Sequence, residues 1–145
     1  LEAFIRTPGL RHRERRLWLT ALETLDVFGL AERASVPADA LSYGEKKRLD
    51  LARAFVSNPK LVLLDEPVAG LNPDETERVA TLIRQMRRGG ATLILVEHDM
   101  DLVMSVSDHV VVLDGGRRIA AGSPDGVRCN PLVLEAYLGK ISATA

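Results

Sequence analysis

The chain has 145 residues, of which 46% are hydrophobic and 27% are charged, a composition typical of one soluble globular domain with a real core. Its 19 basic and 20 acidic side chains give a net charge of -1, so no overall field attracts nucleic acid, and no nucleic-acid partner is expected. A single cysteine excludes an internal disulfide, the three histidines have no zinc-type spacing, and no apolar run approaches the roughly 18 residues of a membrane span.

The N-terminal part of the chain predicts a short lead-in and one long helix. Pro8 and Gly9 indicate irregular structure over residues 1–10, and apolar residues at helical spacing then predict an amphipathic helix over residues 11–28. Residues 30–40 predict a loop. A basic cluster opens the helix, either as its solvated start or as a contact for an acidic partner or lipid headgroups: Arg11, Arg13, Arg15 and Arg16.

The segment LSYGE, residues 41–45, opens the next predicted helix, which an Asn-Pro pair ends after residue 57. Ser42 suits the N-cap of this helix, because its side chain can accept a hydrogen bond from a free backbone amide. Amides near Gly44 and the positive end of the helix dipole also make this end a site where a phosphate can dock. From the residues alone, a plain serine cap and an anion site both remain open.

The segment LVLLDEP, residues 61–67, predicts a strand buried on both faces over residues 61–65. The strand ends in Asp65 and Glu66, which places two adjacent carboxylates at the carboxyl edge of a sheet, where open α/β proteins bind ligands. The pair indicates either a strand that has reached water or a metal-phosphate site.

The following residues predict a βαβ unit. Asn72 is a suitable N-cap for a helix that runs to residue 88, and a second buried strand over residues 92–96 then ends beside His98. Two strands joined by one crossover helix run parallel, so their carboxyl ends lie on the same side of the sheet. We therefore expect His98 to lie near Glu66, either as an incidental surface residue or as part of a site.

The C-terminal third predicts a hairpin between short helices. The predicted elements are a helix over residues 100–107, strands over residues 109–113 and 118–121 joined by a turn at 114–116, and short helices that open at Pro124 and Pro131.

Four motifs in this order resemble the ATP-binding-cassette (ABC) ATPases: LSYGE, LVLLDEP, GLNPDE and EHD. Asp65 follows Leu41 by 24 positions and His98 follows Glu66 by 32, which is similar to the family's spacing of signature, Walker B, D-loop and switch histidine. The flanking segments RTPGLRHRERR and PLVLEAYLG are similar to the ATPase subunits of bacterial branched-chain amino-acid importers. The resemblance therefore covers nearly the whole chain.

The resemblance implies a role for each residue at the strand ends. Asp65 would hold Mg²⁺ through water, because a cation that bridges the phosphates of ATP needs a carboxylate there. Glu66 would orient and deprotonate the attacking water, and His98 would contact the γ-phosphate.

The resemblance also implies a composite site made by two subunits. Ser42, Tyr43, Gly44 and Glu45 lie in the signature, which would bind the ATP held by the opposite subunit of a head-to-tail dimer. Asn72 lies in the D-loop, through which the two sites would communicate. Tyr43 and Glu45 depart from the commonest LSGGQ form, and the branched-chain type shares these departures.

One departure is larger, because the sequence contains no G-x-x-x-x-G-K-S/T P-loop. The implied fold class is α/β with a P-loop NTPase-like (ABC ATPase) core, incomplete because the P-loop strand is absent, plus part of the α-helical subdomain. Residues 1–57 would form that partial subdomain and residues 58–145 the C-terminal part of the ATPase core. The absent strand would lie between those at 92–96 and 109–113. We expect this portion alone to fold loosely and not to hydrolyse ATP.

The resemblance favours the ATP-hydrolysing subunit of an importer for branched-chain or other amino acids. Its partners would be a second ATPase subunit, identical or different, a transmembrane permease and, indirectly, a periplasmic binding protein. The expected location is the cytoplasm, peripheral on the inner face of the cell membrane. The alternatives are the ATPase segment of a soluble non-transport ABC protein and a non-catalytic binding or dimerisation module.

Overall fold

The computed structural model describes residues 8–142, with the backbone alone for residue 8 and residues 138–142. Its regular elements in chain order are α1 (Pro8–Val27), α2 (Tyr43–Phe55), β1 (Leu61–Asp65), α3 (Pro73–Arg88), β2 (Thr92–Val96), α4 (Met100–Val106), β3 (Val110–Asp114), β4 (Arg117–Gly122), α5 (Pro124–Arg128) and α6 (Pro131–Ser142). No helix within the described part is both long and apolar enough to cross a bilayer.

The start of α1 differs from the predicted lead-in. The helix begins at Pro8 rather than at residue 11, because proline suits the first helical position, where no hydrogen bond from its nitrogen is needed. The predicted loop over residues 30–40 contains two short 3-10 turns, Ala31–Arg33 and Ala38–Ala40. The other predicted elements lie within a few residues of their expected bounds.

Two reciprocal caps fix where α2 and α3 begin. The Ser42 side chain accepts from the Glu45 amide while the Glu45 carboxylate accepts from the Ser42 amide, and Asn72 and Glu75 form the same arrangement. Each reciprocal cap satisfies backbone amide donors that the first helical turn leaves free. The capping prediction for both helices is therefore confirmed.

The sheet topology places the ends of β1 and β2 side by side. The two strands pair in parallel with Leu61 opposite Thr92 and Asp65 opposite Val96, so the crossover prediction is confirmed. β3 and β4 form a separate antiparallel hairpin. In the described range each sheet has two strands, and none pairs with both β2 and β3. The architecture is thus mixed α/β, and the described strands form two separate sheets.

The main core lies between the β1–β2 sheet and the helices that cover one of its faces. Its buried members come from α2, β1, α3, α4 and the segments that follow α1 and β1: Phe28, Leu30, Leu51, Ala52, Val62, Leu64, Val68, Val79, Ala80, Leu82, Ile83, Leu102 and Val106. A smaller cluster beneath the hairpin consists of Val110, Ala120, Val127 and Val133.

The prediction that β1 is buried on both faces is wrong for this chain. Val62 and Leu64 are 6% and 7% exposed, whereas Leu63 is 71% exposed. β2 is likewise uncovered on that face, with Ile94 51% exposed. Successive strand residues point to opposite faces, and nothing in the described range covers the second one. Continuous apolar sequence indicated two covered faces, but the cover itself has to come from other residues.

Candidate functional site

The carboxylates after β1 lie at an exposed, sharply turned edge. The Glu66 amide donates to the Val96 carbonyl at 2.9 Å and so extends the parallel pairing one residue past the strand. Glu66 itself has φ 45°, a left-handed conformation that costs a non-glycine residue about 1 kcal/mol. This turn ends the strand and leaves the Glu66 side chain 54% exposed. Asp65 is also exposed and makes no ion pair in the described chain.

His98 lies beside Glu66, as the parallel topology predicted. Its Nδ1 is 3.5 Å from Glu66 Oε1, and its side chain is 77% exposed. The imidazole and the carboxylate therefore face the same open edge. An exposed pair of this kind adds little to stability.

Glu97 is a member of this site to which the sequence alone assigned no role. Its side chain is 1% exposed. Its two oxygens accept from the backbone amides of Val68 and His98, each at 3.1 Å. Because Val68 follows the Glu66 turn, one buried carboxylate joins the loop after β1 to the loop after β2. In the sequence, Glu97 is a carboxylate directly after an apolar strand. This pattern does not distinguish a buried structural carboxylate from a reactive group.

Asp99 completes the edge by starting α4. Its side chain accepts from the Leu102 amide at 3.0 Å as the N-cap of that helix. Of the three residues in the EHD motif, Glu97 and Asp99 are thus engaged with backbone amides, and His98 has the exposed side chain.

The signature lies at the start of α2. Glu45 accepts from the Ser42 amide at 2.8 Å and from Arg33 Nε at 2.9 Å. The pKa of Glu45 is held below its ordinary value of 4.5, chiefly by the backbone hydrogen bond from Ser42 and further by the Arg33 guanidinium. The amides of Tyr43 and Gly44 have no acceptor among the described residues. The cap therefore occupies part of this helix terminus and leaves two donors free.

The signature packs directly against the predicted D-loop. The Tyr43 hydroxyl donates to the Ala69 carbonyl at 3.1 Å. Gly70 has φ 76°, and a Cβ there would lie 3.2 Å from the Tyr43 ring. A Cβ on Gly44 would lie 2.1 Å from Glu75 Oε1, so a larger residue there would have to displace the Glu75 carboxylate that caps α3. The structure thus brings together Tyr43, Gly44 and the residues around Asn72.

Asp65 supplies an exposed carboxylate at this edge that could contact a cation. Within the described residues no group of three or more His, Cys, Asp or Glu side chains could hold a metal ion. Mg²⁺ commonly takes one or two carboxylates and completes its shell with substrate phosphates and water. Exposed Asp65 fits that requirement as a single protein donor.

His98 also borders an open cleft of about 560 Å³ beside α4 and α6. Its lining is mixed, with Met100, Met104 and Tyr137 supplying apolar surface and Asp101 and Arg128 supplying charge. The last two approach each other at 3.8 Å and are largely exposed, so the cleft is bounded by solvated groups rather than closed by them.

Two family models match the sequence. A model described as "ABC transporter" matches residues 6–69, and a model described as "Branched-chain amino acid ATP-binding cassette transporter" matches residues 117–141. The first ends just beyond the Asp65–Glu66 turn, and the second covers β4 through most of α6.

Curated relatives extend the similarity along the chain. The high-affinity branched-chain amino acid transport ATP-binding protein BraF of Pseudomonas aeruginosa is 43% identical over 141 residues, which are 97% of this chain and 55% of BraF. The corresponding LivG protein of Escherichia coli is 42% identical over 137 residues, 94% of this chain and 54% of LivG. The chain therefore spans about half the length of these relatives.

A solved structure shares the fold. The crystal structure of the ADP conformation of MJ1267, an ATP-binding cassette of an ABC transporter, matches with a TM-score of 0.78 and 30% sequence identity. The match covers 86% of this chain and 50% of that one.

Proposed function

The chain belongs to the ABC transporter ATPases, and we propose that residues 41–99 contribute to two composite ATP-hydrolysing sites in an importer of branched-chain or other amino acids, the strand-end residues to the chain's own site and the signature to that of the opposite subunit. The observation that carries this proposal is the 3.5 Å approach of His98 Nδ1 to Glu66 Oε1 at the open carboxyl edge of a parallel sheet. This is the edge at which α/β proteins bind ligands. The match over residues 117–141 and the names of the curated relatives favour the amino-acid importers within the family.

In the proposed reaction Glu66 is the general base. Its carboxylate takes a proton from water as the water oxygen bonds to the γ-phosphorus of ATP. The bond from that phosphorus to the oxygen bridging the β-phosphate breaks, and ADP and inorganic phosphate leave. His98 orients the attacking water and the γ-phosphate, for which its exposed imidazole beside Glu66 is suitably placed.

Asp65 is proposed to hold Mg²⁺ through a bridging water. When bound, Mg²⁺ would neutralise charge that develops on the phosphate oxygens. Asp65 directly precedes Glu66, so the metal-holding and proton-accepting carboxylates come from one strand end and have separate tasks.

The signature is proposed to bind the ATP of the opposite subunit. The free amides of Tyr43 and Gly44 at the positive end of α2 can donate to phosphate oxygens. The Ser42 hydroxyl accepts from the Glu45 amide and retains its own proton to donate. Glu45 contributes by holding the cap that presents these donors. Asn72, the N-cap of α3, is proposed to lie in the D-loop through which the two sites communicate.

The complete subunit is proposed to act as a head-to-tail dimer, with an identical or a different partner, on a transmembrane permease. A periplasmic binding protein would act on it indirectly, and the subunit would lie in the cytoplasm on the inner face of the membrane. Substrate choice would belong to the permease and the binding protein.

The chain is proposed to contain two portions. Residues 1–57 would form part of the α-helical subdomain, and residues 58–145 would form the C-terminal part of the ATPase core. Because this sequence contains no P-loop motif, these 145 residues alone are expected not to hydrolyse ATP.

The proposal is tested by replacing His98 in the complete ATPase and measuring phosphate release. His98→Ala should lower kcat by about 10²-fold, the scale on which misplaced reacting groups slow a reaction. His109 is a matched exposed histidine outside the site, and His109→Ala should change kcat by no more than about twofold. Equal rates for the two variants would remove His98 from the role assigned to it. ATP binding without any turnover in the wild type would favour the non-catalytic module instead.

A further inference from the structure

Two side chains of α2 reach across to the turn that carries Glu66. Lys47 Nζ donates to the Glu66 carbonyl at 3.0 Å. The Tyr43 hydroxyl donates to the Ala69 carbonyl at 3.1 Å, and the Lys47 ammonium lies 5.8 Å from the centre of the Tyr43 ring. Tyr43 and Lys47, one helical turn apart, thus contact both ends of the segment from Glu66 to Ala69. We refer to these two residues as the Tyr43–Lys47 brace.

The backbone of Glu66 needs such support. Its φ of 45° lies in the left-handed region, which residues other than glycine rarely adopt unless the surrounding structure holds them there. The Glu66 amide is fixed by Val96, and its carbonyl accepts from the Ala69 amide at 3.3 Å as well as from Lys47. The Lys47 contact is the charged one of these bonds, and hydrogen bonds from ionised donors are the stronger kind. The position of the Glu66 carboxylate depends on this backbone conformation.

The signature and the D-loop are closely packed. A Cβ on Gly44 would lie 2.1 Å from Glu75 Oε1, and a Cβ on Gly70 would lie 3.2 Å from the Tyr43 ring. Because the Glu75 carboxylate and the Tyr43 ring fill the space beside these two glycines, we expect a shift of the α2 start to move the segment after Glu66. A glycine at position 43, as in the commonest signature form, could make neither the hydroxyl contact nor the ring contact.

We propose that Lys47, supported by Tyr43, is a positioning residue that holds Glu66 in its left-handed conformation and thereby sets where its carboxylate meets the attacking water. The proposal rests on the proposed function, in which the same α2 terminus binds the ATP of the opposite subunit. Occupation of the signature is then tied mechanically to the base within one chain. Lys47 contacts the Glu66 backbone rather than substrate, so it acts through Glu66.

Lys46 provides a matched control on the same helix. Its Nζ donates to the Asp39 carbonyl at 3.0 Å, away from the Glu66 turn. Lys46→Met and Lys47→Met remove the same charge and one lysine-to-carbonyl bond each. A general effect of lowered charge on ATP binding or solubility would appear in both variants, whereas loss of the brace would appear in one.

The test compares kcat and KM for ATP in the complete ATPase carrying Lys47→Met, Lys46→Met or Lys47→Arg. Lys47→Met should lower kcat about tenfold, the scale of one lost hydrogen bond to a charged group, and leave KM nearly unchanged. Lys46→Met should stay within about twofold of wild type in both constants. Lys47→Arg, which can still donate to the Glu66 carbonyl, should recover most of the lost kcat. Equal kcat values in the two methionine variants would overturn the proposal. A change in KM with an unchanged kcat in Lys47→Met would also overturn it.

Amide hydrogen exchange separates positioning from a general loss of folding. Lys47→Met should raise exchange in residues 66–71 and leave the rest of the protein as in wild type. Unchanged exchange there, or a uniform rise throughout, would overturn the proposal. Lys47→Gln serves the same comparison should the methionine variant not fold.

Glu66→Gln separates this inference from the function on which it rests. An active wild type with an inactive Glu66→Gln and a normal Lys47→Met would overturn the brace and leave the proposed function standing. A wild-type complete ATPase without turnover would overturn both.

Discussion

Glu66 and Glu97 occupy equivalent places, because each is the first residue after one of two paired parallel strands. Their surroundings are opposite. The Glu66 side chain is 54% exposed, whereas the Glu97 side chain is 1% exposed and accepts two backbone amides. His98 Nδ1 lies near both carboxylates, at 3.5 Å from Glu66 Oε1 and 3.8 Å from Glu97 Oε2. One sequence pattern, an apolar strand followed by glutamate, thus gives a candidate base in one loop and a buried carboxylate that joins the two loops in the other. The difference arises from whether the neighbouring loop folds over the carboxylate.

The largest expected effect is on turnover when Glu66 is replaced. Glu66→Gln in the complete ATPase should lower kcat by about 10² to 10⁴, the usual contribution of a positioned general base. Its free energy of unfolding should change by no more than about 0.5 kcal/mol, because the side chain is largely exposed. Glu23→Gln, which alters an exposed carboxylate on α1, is the control and should leave kcat unchanged. A near-normal kcat in Glu66→Gln would exclude Glu66 as the base.

Glu97 should show the reverse pattern. In Glu97→Gln the side-chain amide can accept from one of the two backbone amides, but its NH₂ group then faces the other donor. Leaving a buried donor unpaired costs about 1–3 kcal/mol, so the free energy of unfolding should fall by that amount. Denaturant unfolding of the nucleotide-free protein measures it. An unfolding midpoint equal to that of the wild type would show that the buried Glu97 carboxylate does not stabilise the fold.

The sequence was a good guide where structure is local. β1, β2 and α3 could be predicted because their signals are contiguous: apolar runs, an Asn72 cap with Glu75 three residues later, and a terminal glycine. The approach of His98 to Glu66 could be predicted because one crossover helix leaves only the parallel arrangement. Those signals depend on neighbours in sequence and on simple topology.

The sequence was a poor guide where packing joins distant segments. Leu63 was expected to be buried, but its exposure depends on residues outside its own strand. The role of Glu97 depends on the Val68 amide, 29 positions away, and the contact of Lys47 with Glu66 spans 19 positions. Side chains at such separations meet only after the chain has folded, so no local pattern records the contact.

The smallest expected effect concerns a third carboxylate, Glu45, which resembles Glu97 in accepting a backbone amide but is less completely buried. Its pKa in the folded protein lies below 4.5, so its contribution to stability is present above about pH 4.5 and is lost as the pH falls through the lowered value. Wild type should therefore be more stable than Glu45→Gln at pH 7, and the gap should narrow below about pH 4.5. Urea midpoints across that range check this, and a gap independent of pH would contradict it.

The central claim is that Glu66 serves chemistry and Glu97 serves structure. Its most direct test is to measure kcat and the free energy of unfolding for Glu66→Gln and Glu97→Gln in the same complete ATPase. The account predicts a crossed result, in which Glu66→Gln loses turnover by at least about 10²-fold with unfolding unchanged, while Glu97→Gln loses stability and at most about tenfold in turnover. Parallel losses in both quantities for both variants, or the greater loss of turnover in Glu97→Gln, would contradict it.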